Sequence, residues 1–309
     1  MIRKITDKIK LPESTRIPFF GGWWYRVMLA IDNRSIVKEK LPENPLNTEE
    51  RDEKITASLT SFPARIEYVH IAIKSIMLQS VKPDRIVLWL AEDQFPDKKL
   101  PDQLTELQKY GLEICWMNNM YSHKKYFYSI MHQSENEVVI TFDDDIIYPI
   151  DCIKRLMAVH RKYPTCLVCE RGQTICYEKN GEIVANPGRW QTISSIGVEN
   201  PTYSMNPSPG GGCLMPKCAF HSDAVNEDKI NELAYNKNDD LWYMFMCAEN
   251  KTRMIKTRKY HRIFSVVTGS QVVQLATENV VADINVEVME GLKKAYPDAW
   301  KRIVTDKDI

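Results

Sequence analysis

Three consecutive carboxylates, Asp143, Asp144 and Asp145, end an apolar run in the stretch EVVITFDDDIIYPID. Adjacent like charges beside a core strand repel one another. A cluster of this kind calls for a compensating cation. In an extended backbone Asp143 and Asp145 would face one side and Asp144 the other. A pair of carboxylates at a strand end suits a hard divalent cation, Mg2+ or Mn2+, that keeps positions open for substrate oxygens. A second acidic pair, Asp239 and Asp240, precedes the run LWYMFM. Acids at such a helix start stabilise its dipole or can accept a proton. Both hold if Asp239 caps the helix and Asp240 faces the substrate. Lys124 and Lys125 open a helical run before the triplet and could reach phosphate or simply be solvated. His261 is a lone imidazole near an apolar run, either structural or a ligand.

The elements that must carry these residues alternate. ITASLTS (residues 55–61), RIVLWLA, LEICWM and EVVITF read as four strands, separated by helical periodicity in RIEYVHIAIKSIMLQ, PDQLTELQKYG and KKYFYSIMHQ. That alternation predicts right-handed crossovers and a parallel sheet. The acids then sit at the carboxyl end of a strand, where open α/β sheets bind ligands. Residues 151–161 read as a further helix stopped before Pro164, and Asn180-Gly181 as a hairpin turn.

The loop after the first strand, LTSFPARIEY, holds no glycine, and no GxxxxGK[ST] occurs. The Rossmann and P-loop cradles for phosphate are therefore missing, and a metal would have to carry the charge of a bound diphosphate. The Asp143-x-Asp145 spacing also resembles a haloacid-dehalogenase phosphatase motif, but that motif lies on the first strand of its fold. An EF-hand would need glycine where Tyr148 stands.

Taken in order, LTSFPAR, TFDDDIIYP, PSPGGGCLMP, NKNDDLWYMFM and KYHRIF resemble the landmarks of GT-A-fold nucleotide-sugar glycosyltransferases, bacterial family 2-like enzymes in particular. The resemblance spans residues 55 to about 265. It implies a Rossmann-like α/β fold with a mostly parallel central sheet flanked by helices and a small hairpin and loop subregion for the acceptor. It implies that Thr60, Ser61 and Arg65 line the nucleotide pocket, together with Lys125 and Asp144. Asp143 would face the ribose or sugar side, and Asp145 would bind metal directly, with Asp143 and His261 as further ligands. Gly210, Gly211 and Gly212 would form a loop near the donor sugar and acceptor. Asp240 would be the catalytic base. The family pattern has Glu where Asp239 stands, which leaves open which of the two acids acts. The activity implied is metal-dependent transfer of a sugar, from a UDP-sugar by family default, to a glycan or lipid-linked acceptor in surface polysaccharide synthesis. A metal-dependent phosphohydrolase or nucleotidyltransferase, or a non-catalytic sugar-nucleotide-binding module, would use the same acids.

Lys plus Arg and Asp plus Glu are both 41, so the net charge is zero. That argues against a protein built to bind along nucleic-acid phosphates. No signal peptide opens the chain, and the eight cysteines read as reduced thiols in a cytosolic protein. Cys166 and Cys169 have CxxC spacing, but in a strand they face opposite sides, which disfavours zinc. Residues 17–31, IPFFGGWWYRVMLAI, read either as a segment packed on the domain or as an interfacial anchor on the inner membrane face, with Trp23, Trp24 and Tyr25 at headgroup depth. Residues 38–54 read as a charged linker. The expected organisation is an N-terminal segment and linker over 1–53, a catalytic domain over 54–265 and a helical extension over 266–309.

Overall fold

The computed structural model describes residues 20–179, 183–184, 189–191, 194–234, 238–259, 264–270 and 284–306, with backbone only over 20–25. His261 and the Asn180-Gly181 turn lie outside the described residues.

A seven-stranded sheet forms the centre. Its strands are β1 (Lys54–Thr60), β2 (Arg85–Ala91), β3 (Leu112–Met117), β4 (Glu137–Phe142), β6 (Leu167–Cys169), β9 (Gly211–Met215) and β10 (Met254–Lys256). The spatial order is β10-β6-β9-β4-β1-β2-β3. All pairings are parallel except those of β9, which runs against both β4 and β6. Small antiparallel pairs flank the sheet: β5 (Ile146–Ile147) with β11 (Ser265–Val266), and β7 (Gly172–Thr174) with β8 (Met205–Pro207). This is the mostly parallel, Rossmann-like α/β sheet expected from the alternating pattern.

Period-2 alternation sends successive strand residues to opposite faces. Ile55, Ala57 and Leu59 of β1 join Val138 and Ile140 of β4 on one face. They pack against α2 (Val69–Met77) and α5 (Cys152–Lys162). Val87, Trp89 and Val139 enter the core on the other face. There α4 (Lys124–Met131), α6 (Glu227–Leu233) and α7 (Asp239–Glu249) lie, with α8 (Ile284–Ala295) and α9 (Pro297–Thr305) behind α7. Both faces are covered, so all six residues of β4 are buried, and the acids emerge directly from the centre of the core.

Three local expectations change. The helix expected over PDQLTELQKYG is only four residues of α3 (Asp102–Thr105) followed by a 3-10 turn, stopped at Gly111 with φ +92°. The charged stretch after residue 38 is packed: Pro45 is buried, Leu46 lies against Gly111, and Asn47 donates to Asp84 at 2.9 Å. The apolar N-terminal run forms α1 (Phe20–Lys38), helical despite Gly21 and Gly22. Met28, Asp32 and Ile36, spaced by four, turn inward. Asn33 donates to the Val266 carbonyl at 3.0 Å and accepts from Thr268 N–H at 2.8 Å, which docks the last turns of α1 on β11. Among the described residues no helix is long and apolar enough to cross a membrane.

Candidate active site

The acid triplet follows β4 in a turn, not in an extended segment. The expected alternation of Asp143 and Asp145 against Asp144 therefore does not apply. The antiparallel partner explains the bend. The β4–β9 register slips between Thr141 and Phe142, leaving Gly212 as the extra residue at φ +93°. A bulge of this kind re-aims the strand end and needs a glycine there. Gly210 answers a different need: a side chain at that position would begin 1.6 Å from the Asp143 carboxylate. The glycines thus serve close approach inside and beside a buried strand. Tyr148 locks this corner, accepting from Asp143 N–H at 2.6 Å and donating to the Gly210 carbonyl.

Two cations divide the triplet between them. Arg65, in the turn after β1, contacts Asp144 at 2.8 Å and Asp145 at 3.0 Å through one nitrogen. Ser61 Oγ donates to Asp144 at 2.6 Å. Asp144 is buried, and that burial pushes its carboxyl up from the ordinary value against the pull of Arg65 and Ser61. Lys125 takes the third acid, with Nζ 2.8 Å from Asp143 and 2.9 Å from Asp239. It is held by the sheet beneath it. Ser58 Oγ of β1 donates to the Lys125 carbonyl at 2.5 Å, and Trp89 Nε1 donates to that same Ser58 oxygen at 3.0 Å. Burial works against the Lys125 charge, but Asp143 and Asp239 outweigh it and hold the ammonium above the usual lysine value.

Lys125 therefore joins the two acidic clusters that lie almost a hundred positions apart in the sequence. It also separates the roles of Asp239 and Asp240. The cap of α7 is Asn238, whose Oδ1 accepts from Leu241 N–H at 3.1 Å. Asp239, expected as the cap, is instead a buried partner of Lys125, which draws its carboxyl below the ordinary range against the effect of burial. Asp240 has side-chain access to solvent but sits deep among protein atoms. Loss of hydration, then the negative charges of Asp239 and Asp143, push its carboxyl up to about 8. Lys125 and Arg171 pull the other way without prevailing.

The other sequence candidates fall as follows. Thr60 Oγ1 donates to the Trp89 carbonyl at 2.8 Å, so its hydroxyl serves the sheet. Gly211 is buried in β9, where a side chain would begin 3.1 Å from the stem of Arg171. Lys124 is buried and donates to Asn119 Oδ1 at 3.1 Å and the Tyr121 carbonyl at 2.9 Å; burial pulls its ammonium down to about 8. Sequence reasoning missed Arg171 and the corner hydroxyl of Tyr148. The only signal for Arg171 was a lone cation in CERGQT, just past a short strand.

Among the described residues no three His, Cys, Asp or Glu side chains form a metal cage. Asp143 and Asp145 are oxygen donors of the type that Mg2+ or Mn2+ takes, one or two at a time with water and substrate phosphates completing the shell; in this structure they are engaged by different cations, Lys125 and Arg65. Asp143 is the more accessible, at 37% exposure against 13% for Asp145. The CxxC reading ends differently: all described cysteines are free thiols, and Cys169 faces Cys213 across the β6–β9 pair.

No known family model matches the chain, and no curated protein matches it in sequence. The structure is distantly similar to a 4-diphosphocytidyl-2C-methyl-D-erythritol synthase from Anaerococcus prevotii, at 12% identity and TM-score 0.39, over 75% of this chain and 100% of that one. It is similar to a mannosyltransferase from Pyrobaculum calidifontis, in complex with GDP-Man and Mn2+, at 11% identity and TM-score 0.41, over 98% of this chain and 85% of that one. Likeness at this level carries no inference about activity.

Proposed function

We propose that the protein is a metal-dependent glycosyltransferase that moves a sugar from a nucleotide-sugar donor to a hydroxyl of a glycan or lipid-linked acceptor by single displacement. The observation that carries this reading is the separation of Asp239 from Asp240. One carboxylate is paired with Lys125 at 2.9 Å, and the surroundings of its neighbour, loss of hydration and then the charges of Asp239 and Asp143, hold that carboxyl above the ordinary range. A general base works best when its pKa lies near the working pH. Asp240 takes the proton of the attacking hydroxyl. Asp239 holds Lys125, and Lys125 holds Asp143, so base and acid triplet keep a fixed separation. Arg65 and Ser61 orient Asp144 and Asp145 beside the end of β1, where the donor nucleotide lies in this reading. Asp143 and Asp145 would hold Mn2+ or Mg2+, which when bound supplies Lewis-acid stabilisation of the leaving diphosphate.

Two measurements test this. Calorimetric titration of a nucleoside diphosphate with Mn2+ should show binding that needs the metal and is lost in Asp145→Asn. Unchanged affinity in that variant removes the metal reading. Product analysis with donor and acceptor should show free nucleoside diphosphate. Release of pyrophosphate instead would identify a nucleotidyltransferase.

The lipid-linked acceptor fits a peripheral position at a membrane through residues 17–31. The last turns of α1 dock on β11, which pairs with the strand just after the acids. Removing residues 1–37 would therefore cut into the fold, and Trp23→Ser with Trp24→Ser is the cleaner variant. Native chain should sediment with anionic vesicles and this variant should not; equal sedimentation rejects the anchor.

A further inference from the structure

A second feature lies at the opposite edge of the sheet. β6 runs parallel to β4, so the start of β6 is far from the end of β4 that carries the acids. Around the starts of β6 and β10 and the end of β9 lies a cavity of about 410 Å3. Tyr203, Lys217, Cys218, Lys251, Thr252 and Arg253 are among its lining residues, which include three cations and no carboxylate.

The backbone around this cavity departs from ordinary preference twice. Cys218 and Lys251 both have φ +60°. Each occupies a site where glycine is the default. Lys251 follows the cap of α7, its N–H bonded to the Ala248 carbonyl at 3.2 Å, as the left-handed residue of a helix C-terminus. Cys218 is third in a turn closed by Ala219 N–H on the Pro216 carbonyl at 3.2 Å. A non-glycine residue in this region costs on the order of 1 kcal/mol or more. The surroundings hold both in place. Asn250 Nδ2 donates to the Cys218 carbonyl at 2.7 Å, and Tyr203 Oη donates to the Lys251 carbonyl at 3.0 Å. Strain kept at two points of one cavity points to a use for the side chains there.

The charges are arranged for an anion. The Arg253 guanidinium lies 4.4 Å from the centre of the Tyr203 ring, pairs with Asp306 at 2.8 Å and donates to the Pro201 carbonyl at 3.2 Å. Lys217 donates to the Gln133 carbonyl and lies 3.8 Å from the highly exposed Glu135. Lys251 has no side-chain ion pair among the described residues. Two of the three cations are thus oriented by neighbours outside the lining, and the third is available.

We propose that this cavity is a second binding site, separate from the acid site, that takes a small phosphate-bearing anion between Lys217, Lys251 and Arg253. The inference stands whether or not the glycosyltransferase reading is right. Cys218 supplies a local reporter, since it lines the cavity and its thiol is free and exposed. The rate of iodoacetamide alkylation at Cys218 is measured by peptide mapping on the full chain, with pyrophosphate and with KCl at matched ionic strength. Pyrophosphate should slow the reaction by about tenfold at ten times its dissociation constant, the factor that simple occupancy gives, and KCl should not. Lys251→Gly relaxes the backbone while removing the charge, so it should fold at least as well and lose the protection. Lys217→Ala should lose it too. Asp240→Asn, in the acid site, should keep it. Equal slowing by KCl, or protection that survives in both Lys251→Gly and Lys217→Ala, overturns the proposal.

Discussion

The acid triplet after β4 and the acid pair opening α7 solve the same electrostatic problem in different ways. Each places adjacent carboxylates against a buried core. At the triplet every acid has a protein cation at hydrogen-bond range: Arg65 serves Asp144 and Asp145, and Lys125 serves Asp143. At the pair, among the described residues, only Asp239 has one, and it is the same Lys125. Asp240, beside it in sequence, feels Asp239 as a repulsive neighbour. Residue type is identical in both clusters, so the difference comes from the surroundings: loss of hydration first, then the charges of Asp239 and Asp143, raise the Asp240 carboxyl against the pull of Lys125 and Arg171. Carboxylates held by a cation are fixed in place and can bind or position. Asp240, raised above the ordinary carboxylate value, is the one suited to exchange a proton.

The strongest way to break this comparison is to neutralise the two members of the pair in turn. Asp240→Asn should retain donor binding and lose turnover by roughly 10²–10⁴-fold, the usual cost of a missing acid–base group. It should also change stability in a defined direction. Asp240 has a folded pKa above its unfolded value, so the folded state holds a proton that the unfolded state has lost between the two values. Stability from this group therefore falls as pH rises through that window. Asp240→Asn should melt higher than the native chain at pH near 8 and show little difference near 4. Asp239→Asn should instead lower stability by uncovering Lys125, and lower activity by releasing it. An active Asp240→Asn beside an inactive Asp239→Asn would exchange the two roles.

A smaller effect sharpens the link between the clusters. Lys125→Met leaves Asp143 and Asp239 without their shared cation. Breaking a buried pair in this way typically costs about 3–5 kcal/mol. Chemical denaturation should show that loss in the midpoint without a change of slope. A loss under about 1 kcal/mol, the range of a surface pair, would mean that solvent already screens the bridge.

Much of the first half of the fold was legible because hydrophobic period and turn residues agree there. β2, β3 and β4 fall on the expected residues, and β1 is displaced by one. The acid triplet was legible for the same reason, since a buried strand that ends in charges is conspicuous. The second half was less so. β6, β7 and β8 are three residues each, too short to show a period, and β9 begins inside a glycine run that resembles a loop. The partnership of Lys125 with both clusters had no sequence signal, because it depends on α4 and α7 meeting on one face of the sheet. The role expected for Asp239 went to Asn238, since a buried ion pair claimed the carboxylate first.

The central claim is that Asp240 is the base and that its setting raises its pKa. The pH dependence of kcat/KM in the native chain reports the ionisation of the free enzyme's essential base. With the metal and donor whose binding is established by titration, kcat/KM should rise with pH through a limb well above the ordinary carboxylate value, the direction in which its surroundings move Asp240. A profile that is flat from about pH 6 to 9, as an ordinary carboxylate titrating near 4 would produce, contradicts the account.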